Sequence, residues 1–210
     1  MRVIAIDGPA GSGKSTVARV LATRLGLDYL DTGAMYRSVA FAVIQRNIDP
    51  DDAEAIGTLA SKVTIEVADT VVVDGVDATL EIRGPEVTRL VSAVAANPAV
   101  RKEMVQRQRE WAEAHGGGVV EGRDIGTVVF PDAELKIFLT ASDEERALRR
   151  SKEVRDLAYD EVAAAIAKRD YLDSTRAASP LTKAPDAVEI DTSTLSVDEI
   201  IEQVMQRLAS

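Results

Sequence analysis

Eight residues near the amino terminus have types and a spacing suited to holding phosphate groups. The pattern is G-x-x-x-x-G-K-[ST], and the matching residues are Gly8, Pro9, Ala10, Gly11, Ser12, Gly13, Lys14 and Ser15. Small residues let successive backbone N–H groups point at phosphate oxygens. Lys14 can bridge the outer phosphates, and the Ser15 hydroxyl can bind Mg²⁺. We predict a nucleoside triphosphate site that runs from Gly8 to Thr16.

The neighbours of this loop favour a real site over a chance glycine-rich turn. The apolar, β-branched run Arg2–Asp7 predicts a buried strand before the loop. Apolar residues at helical spacing over Lys14–Leu25, ending at Gly26, predict a helix after it. The helix dipole then adds its positive end to the phosphate site. The dinucleotide pattern G-x-G-x-x-G does not fit these glycines.

A second group of chemical side chains follows the next predicted strand, at residues 28–31. Asp31, Thr32 and Arg37 leave the sheet together, at the carboxyl end where open α/β sheets bind ligands. These residues could bind a second substrate. The alternative is a helix N-cap with a surface arginine, and spacing alone does not separate the two.

A third group follows the apolar pair at residues 119–120. Glu121 and Asp124 could hold Mg²⁺ through water or orient an acceptor, and Arg123 could neutralise charge on a moving phosphoryl group. The alternative is a tight turn with a satisfied Arg–Asp pair. We favour a functional role.

The late helices are rich in arginine. The residues are Arg146, Arg149, Arg150, Arg155, Arg169 and Arg176. Such a helix can form a lid that closes over a phosphate site and excludes water. For most of them a solvated charged face with i,i+4 pairs, such as Glu145 with Arg149, is the stronger interpretation. For Arg176, spacing cannot choose.

Strand and helix patterns alternate along most of the chain, which predicts an α/β fold with a mostly parallel sheet covered by helices on both faces. The predicted strands are Arg2–Asp7, 28–31, 119–121, 135–139 and 187–191, and the predicted helices are Lys14–Leu25, 34–46, 52–62, 86–95, 99–115, 142–152, 160–173 and one that begins at 196. Capping boxes open the helices at Ser142 and Ser196. Residues 63–81 interrupt this order with three β-rich runs, 63–67, 70–74 and 77–81, the last two joined by an Asp74-Gly75 turn. We expect a small antiparallel β insertion there.

Composition excludes several classes of protein. The 210 residues include no cysteine, so disulfide scaffolds and cysteine zinc sites are excluded. A net charge of −10 argues against a nucleic-acid partner. Neither a charged leader nor an apolar run of membrane-spanning length is present, so we expect a cytoplasmic protein without a membrane partner.

Four motifs together resemble bacterial cytidylate kinases. They are residues 6–14, 30–37, 121–133 and 169–181, and the resemblance runs over essentially the whole chain. It implies a nucleoside monophosphate kinase fold in a single domain of residues 1–210, with a P-loop NTPase core and a five-stranded parallel sheet. It also implies an acceptor-binding region with the β insertion at about 63–95 and a helical lid at about 146–160. The implied reaction uses ATP and Mg²⁺ to convert CMP or dCMP to CDP or dCDP, in a protein that we expect to be a monomer.

The resemblance also assigns roles to single residues. Arg37, Arg123 and Arg176 match positions that hold the acceptor phosphate or the transferring group, and Lys14, Arg123, Asp124 and Arg176 form the implied catalytic set. Cytosine is recognised at positions that match Thr32, Arg101 and Asp124. The pentose is contacted at positions that match Ser92, Arg169 and Asp173. Two departures are Thr32, where some members have Ser, and Glu121, where some have Asp.

Two other functions remain open at this point. One is a kinase for another small molecule, such as UMP, AMP or a shikimate-like metabolite, although the β insertion and the Arg–Asp pair for the base argue against it. The other is a P-loop module that binds nucleotide without catalysis, for which a second anion-binding cluster is unexpected. A substrate panel separates all three.

Overall fold

The computed structural model describes residues 1–153 and 158–209. The chain divides into two compact units, residues 1–29 with 115–210 and residues 30–114. The strands are β1 (Arg2–Asp7), β2 (Tyr29–Asp31), β3 (Ile65–Val67), β4 (Val71–Val73), β5 (Val76–Asp77), β6 (Gly117–Gly122), β7 (Leu135–Thr140) and β8 (Val188–Asp191). The α-helices are α1 (Lys14–Leu25), α2 (Thr32–Gln45), α3 (Ala53–Ala60), α4 (Pro85–Ala96), α5 (Pro98–Ala114), α6 (Asp143–Glu153), α7 (Tyr159–Thr175) and α8 (Val197–Leu208). Within the described ranges, no helix combines the length and the apolar character needed to cross a membrane.

The larger sheet has five strands in the order β2-β6-β1-β7-β8. Strand β1 pairs in parallel with β6 and with β7, and β7 pairs in parallel with β8. Consecutive residues of β1, from Val3 to Ile6, are all buried. Because successive side chains point to opposite faces, both faces of β1 are covered. The predicted five-stranded parallel sheet is confirmed.

One face of this sheet packs against α1 and α8. Ile4 and Ile6 lie in one core cluster with Val17 and Leu21 of α1 and Ile201 of α8. Burial of each such aliphatic side chain contributes about 1.5–3 kcal/mol. Helix α1 therefore sits directly on the strand that precedes it, and the loop between them is fixed at both ends.

The two predicted capping boxes differ in outcome. At α8 the box is complete, since the Glu199 N–H donates to Ser196 Oγ (3.3 Å) and the Ser196 N–H donates to Glu199 Oε2 (2.8 Å). At α6 only half is present. The Glu145 N–H donates to Ser142 Oγ (3.2 Å), but the Glu145 carboxylate pairs with Arg149. The full box predicted at Ser142 is wrong because the Ser142 N–H donates to Ser193 Oγ (2.8 Å) instead, while Arg149 holds the Glu145 carboxylate.

The second unit contains a small antiparallel sheet in the order β3-β4-β5. The Asp74-Gly75 turn joins β4 to β5 with left-handed φ values of 49° and 80°. The predicted insertion is confirmed, but its third run over 77–81 is not a strand. Asp77 Oδ1 accepts hydrogen bonds from the N–H (3.0 Å) and hydroxyl (2.6 Å) of Thr79, which ends β5 in a side-chain turn. A 3₁₀ turn follows at Glu81–Arg83.

Candidate active site

The predicted phosphate loop follows β1 and leads into α1, as its mechanism requires. A Cβ atom on Gly8 would lie 2.1 Å from the Leu139 carbonyl oxygen, so only glycine fits there. Gly13 has a left-handed φ of 84° and is the N-cap residue of α1. The tight backbone path of the loop therefore depends on its glycines.

Lys14 lies buried inside this loop. Its Nζ donates hydrogen bonds to the Pro9 carbonyl (2.6 Å) and to Ser12 Oγ (3.3 Å). Burial lowers the pKa of Lys14 well below its ordinary value, and the positive charge of Arg123 lowers it further, while the Glu121 carboxylate opposes the shift. A bound polyphosphate would supply the negative charge that this ammonium needs.

Ser15 and Glu121 together provide oxygen ligands beside the loop. The Ser15 hydroxyl donates to Glu121 Oε2 (3.0 Å), and the Tyr29 hydroxyl donates to Glu121 Oε1. Mg²⁺ prefers oxygen ligands and binds through one or two protein groups together with substrate phosphates. This donor set fits Mg²⁺ bound to a nucleotide.

Residues of α6 and α7 bind the peptide groups of Ala10. The Ala10 N–H donates to Asp170 Oδ1 (3.1 Å), and its carbonyl accepts from Arg146 (3.0 Å). Arg146 also pairs with Asp170 and Asp143. Arg146 is buried, so the solvated face predicted for it is wrong. Its carboxylate partners and a loop carbonyl compensate its removal from water.

The other arginines of α6 differ in their contacts and burial. Arg149 makes the predicted i,i+4 pair with Glu145 (2.8 Å) and also donates to the hydroxyl of Thr192 (2.8 Å). That hydroxyl donates to the Ser12 carbonyl (3.1 Å), so Arg149 supports the phosphate loop indirectly. Arg150 is half-buried. Arg155, and with it part of the predicted lid at 146–160, lies outside the described residues.

Three arginines and two carboxylates form a second site in the same unit, here called the arginine cluster. Its members are Arg123, Asp124, Arg169, Asp173 and Arg176. Arg123 Nε donates to Asp173 Oδ2 (2.9 Å), and Arg176 donates to Asp124 Oδ1 (3.3 Å). Arg169 Nε lies 3.9 Å from Asp173 Oδ2, too far for a hydrogen bond. The sequence left Arg176 undecided, and the structure places it in this cluster.

The electrostatics of the arginine cluster favour a bound anion. Burial and, to a smaller extent, the charge of Arg123 lower the pKa of Arg169 to about 10. Burial raises the pKa of Asp173, but the charges of Arg123 and Arg169 outweigh this and leave it below its usual range. The buried Nε of Arg169 has no hydrogen-bond partner among the residues that the structure describes. An unpartnered buried donor beside an excess of positive charge suits a phosphate or hydroxyl ligand.

Asp7 fixes the turn that carries Arg123 and Asp124. Its two carboxylate oxygens accept hydrogen bonds from the N–H groups of Ile125 and Gly126, each at 2.8 Å. The turn continues as one π-helical segment, Ile125–Val129. Burial raises the pKa of Asp7 to about 6, although both N–H groups favour its ionised form.

The remaining predicted residues lie in the second unit. Arg37 is buried and donates to the Ile82 carbonyl (3.1 Å) and to Thr88 Oγ1 (3.0 Å). The alternative of a surface arginine is therefore wrong. Asp31 is the N-cap of α2, since its Oδ1 accepts from the Ala34 N–H (2.9 Å).

Thr32, Ser92 and Arg101 stand on three helices of this unit. Thr32 is the first residue of α2 and is buried, and Ser92 is half-buried on α4. Arg101, near the start of α5, donates to the Ala95 carbonyl (3.2 Å), and its guanidinium carbon lies 5.5 Å from the centre of the Tyr36 ring. The ring face stabilises the guanidinium where it is removed from water.

Sequence reasoning gave no role to Asp7, Tyr29 or Asp170. Each lies within or next to a motif, which was a usable signal. Their partners are distant along the chain, by 118, 92 and 160 residues respectively. Such pairs are set by the packing of the sheet and helices, and spacing does not reveal them.

Comparison with known proteins gives one family and several relatives. The family described as cytidylate kinase matches residues 4–210. A cytidylate kinase of Mycobacterium leprae (strain Br4923) is 54% identical, over 97% of this chain and 93% of the relative. A bifunctional pantoate ligase/cytidylate kinase of Nostoc sp. strain PCC 7120 is 51% identical over 97% of this chain, which spans 40% of that relative's length.

A solved structure supports the fold alone. A gluconokinase from Sinorhizobium meliloti 1021 superposes with a TM-score of 0.52 at 15% identity, over 99% of this chain and 91% of that one. The shared architecture persists where little sequence identity remains, and at that identity it carries no information about substrate.

Proposed function

The chain belongs to the cytidylate kinase family, and from this premise we propose that it transfers the γ-phosphoryl group of ATP to CMP and dCMP, giving ADP with CDP or dCDP. The observation that carries the proposal is the family match over residues 4–210, together with a relative of that name at 54% identity. The proposal covers the kinase reaction alone.

The donor site is proposed at residues 8–16. ATP phosphates would lie along the loop amides, with Lys14 across the outer phosphates. Ser15, with Glu121 beside it, would hold Mg²⁺, which neutralises charge on the β- and γ-phosphates when bound. The support is the geometry of the loop and the hydrogen bond between Ser15 and Glu121.

The arginine cluster is proposed to serve the acceptor. Arg123 and Arg176 would bind the acceptor phosphate and the transferring group, because guanidinium groups match phosphate oxygens in pairs. Arg169 and Asp173 would contact the pentose, and Asp124 the amino group of cytosine. The positive excess of the cluster and the unpartnered donor of Arg169 in the described structure support these roles.

The second unit is proposed to supply the remaining acceptor contacts. Arg37 would bind the acceptor phosphate, Thr32 and Arg101 the cytosine edge, and Ser92 the pentose. The acceptor-binding region would span about 63–95 and the lid about 146–160, within one domain of residues 1–210. We propose further that the protein acts in the cytoplasm as a monomer on small-molecule substrates.

The proposed chemistry is positioning and charge neutralisation. An acceptor phosphate dianion is already a nucleophile, so the reaction requires no strong general base. Lys14, Arg123 and Arg176 would spread the charge that develops during in-line transfer. Selectivity for cytosine would come from polar groups that a wrong base leaves unpaired.

A coupled assay of ADP formation tests the proposal. ATP and Mg²⁺ are combined with CMP, dCMP, UMP, AMP or GMP, and we expect the highest kcat/KM for CMP and dCMP. A higher value for another acceptor would reject the cytidylate assignment. ATP binding without turnover of any of the five would reject the proposed nucleotide kinase and leave a different acceptor or a binding role.

A further inference from the structure

The side chain of Glu121 receives hydrogen bonds from two hydroxyl groups. Ser15 donates to Oε2 (3.0 Å), and Tyr29 donates to Oε1. Glu121 ends the buried part of β6, and Tyr29 begins β2. Each carboxylate oxygen is thus held from a different part of the same unit, one by Ser15 of the phosphate loop and the other by Tyr29 on β2.

The Tyr29 ring is fixed independently of its hydroxyl. It packs against the core cluster of the larger sheet, and the Arg19 guanidinium carbon lies 5.3 Å from the ring centre. The hydroxyl therefore presents its hydrogen from a rigid position. A change that removes only the oxygen atom leaves the packing in place.

The two hydroxyl groups would have different roles if a metal ion bound beside the loop. A cation there would use a lone pair of Ser15 Oγ, and the Ser15 hydroxyl could still donate its hydrogen to Glu121 Oε2. The bond from Tyr29 approaches the other oxygen and can persist. A glutamate has one more rotatable bond than an aspartate, so it needs such a contact to keep its carboxylate aimed in one direction.

We propose that Tyr29 is a positioning residue that holds Glu121 towards the nucleotide-bound metal ion beside Ser15. It acts through Glu121 and touches neither the metal nor the substrate. The inference rests on the proposed function for the place of the metal, and its readout is binding rather than turnover. A protein that binds metal–nucleotide without phosphorylating CMP would refute the proposed function and leave this inference standing.

The test is Tyr29→Phe, with Mn²⁺ as a probe and ADP as the nucleotide. Mn²⁺ affinity of the protein–ADP complex is measured by electron paramagnetic resonance, and ADP affinity without metal by calorimetry. We expect roughly tenfold weaker Mn²⁺ binding, as is usual when a hydrogen bond to a metal-side carboxylate is removed. ADP affinity without metal and the melting temperature should stay as in the wild type. Tyr171→Phe is the matched control, since Tyr171 is 67% exposed, and it should change nothing.

A second variant shows whether Tyr29 acts through Glu121. In Glu121→Asp the shorter carboxylate cannot reach both hydroxyls, so adding Tyr29→Phe should weaken Mn²⁺ binding less than twofold further. Unchanged Mn²⁺ affinity in Tyr29→Phe would overturn the inference. So would an equal loss of ADP affinity without metal, because the hydroxyl would then support the loop rather than the metal side.

Discussion

The phosphate loop and the arginine cluster both present positive character to anions, but they are built from different parts of the chain. The loop uses backbone N–H groups of one contiguous stretch, residues 8–16, with a single buried ammonium at Lys14. The arginine cluster uses side chains that lie between Arg123 and Arg176, joined by Asp124 and Asp173. Substitutions other than proline leave the backbone N–H groups in place, whereas each guanidinium can be replaced singly.

This difference explains their electrostatics. In the loop, the positive charge of Lys14 is disfavoured by burial until a polyphosphate arrives. In the arginine cluster, two carboxylates already neutralise part of the charge, and Asp173 stays ionised between Arg123 and Arg169. The loop thus needs its ligand to balance the charge of Lys14. In the arginine cluster, the two carboxylates already balance most of the positive charge.

The largest effect is expected for Lys14→Ala. Loss of the ammonium should lower kcat by at least about 1,000-fold, because no other loop side chain can bridge the outer phosphates. The variant should fold, since it removes a cation whose buried charged form is disfavoured. The coupled assay and a thermal melt check both points, with Lys183→Ala as an exposed-lysine control. Near-normal turnover would show that Lys14 of the phosphate loop is not needed for phosphoryl transfer.

Arg123→Lys distinguishes the two sites. Arg123 donates through separate nitrogens to Asp173 (2.9 Å) and to the Gly8 carbonyl (2.9 Å), and a lysine cannot reproduce both directions. We expect kcat/KM for CMP to fall about 100-fold and KM for ATP to change much less. Arg24→Lys, at an exposed pair with Glu202, serves as the control. A larger loss for ATP than for CMP would assign Arg123 to the phosphate loop.

Asp7 belongs to both regions, since it precedes Gly8 and caps the turn after Asp124, and its pKa gives a test in pH. Its folded-state pKa, raised to about 6, exceeds its ordinary value of 3.8. Between these values the unfolded chain releases the proton first, so this group lowers the free energy of unfolding as the pH rises. Once the pH is above both values, the free energy of unfolding has fallen by roughly 3 kcal/mol through this group, and Asp7→Asn lacks this change.

Urea unfolding at pH 4.5 and pH 7 measures this contribution. The free energy of unfolding of the wild type minus that of Asp7→Asn should decrease by about 2 kcal/mol between the two pH values. The comparison cancels the other carboxylates, whose lowered pKa values act in the opposite sense. A difference that does not change with pH would mean that folding leaves the pKa of Asp7 at its ordinary value. The raised pKa of this buried carboxyl would then be wrong.

The sequence was informative where structure is local. The loop, the strand before it and the helix after it depend on a few adjacent residues, and all three were predicted. The box at Ser196 and the Asp74-Gly75 turn are equally local and were confirmed. The box at Ser142 was half wrong because the Ser142 N–H donates to Ser193 and Arg149 holds Glu145. The third β run ended early because the Thr79 hydroxyl donates to Asp77.

The side-chain site was harder to predict. The sequence identified Arg123 and Asp124 but not the partner of either, since those contacts join residues about fifty positions apart. It offered a surface position for Arg37 and a solvated face for Arg146, and burial contradicts both. Tyr29 escaped notice because a tyrosine on a short strand is typical of ordinary packing. Its hydroxyl acquires a role only once the fold brings Glu121 to it.

The most direct test of the central claim follows the phosphoryl group itself. ATP labelled on its γ-phosphoryl group is incubated with the protein, Mg²⁺ and CMP, and the products are separated. We expect the label to appear in CDP, in an amount equal to the ADP formed. Label found only in inorganic phosphate, or in CDP at the same rate with Lys14→Ala, would contradict it.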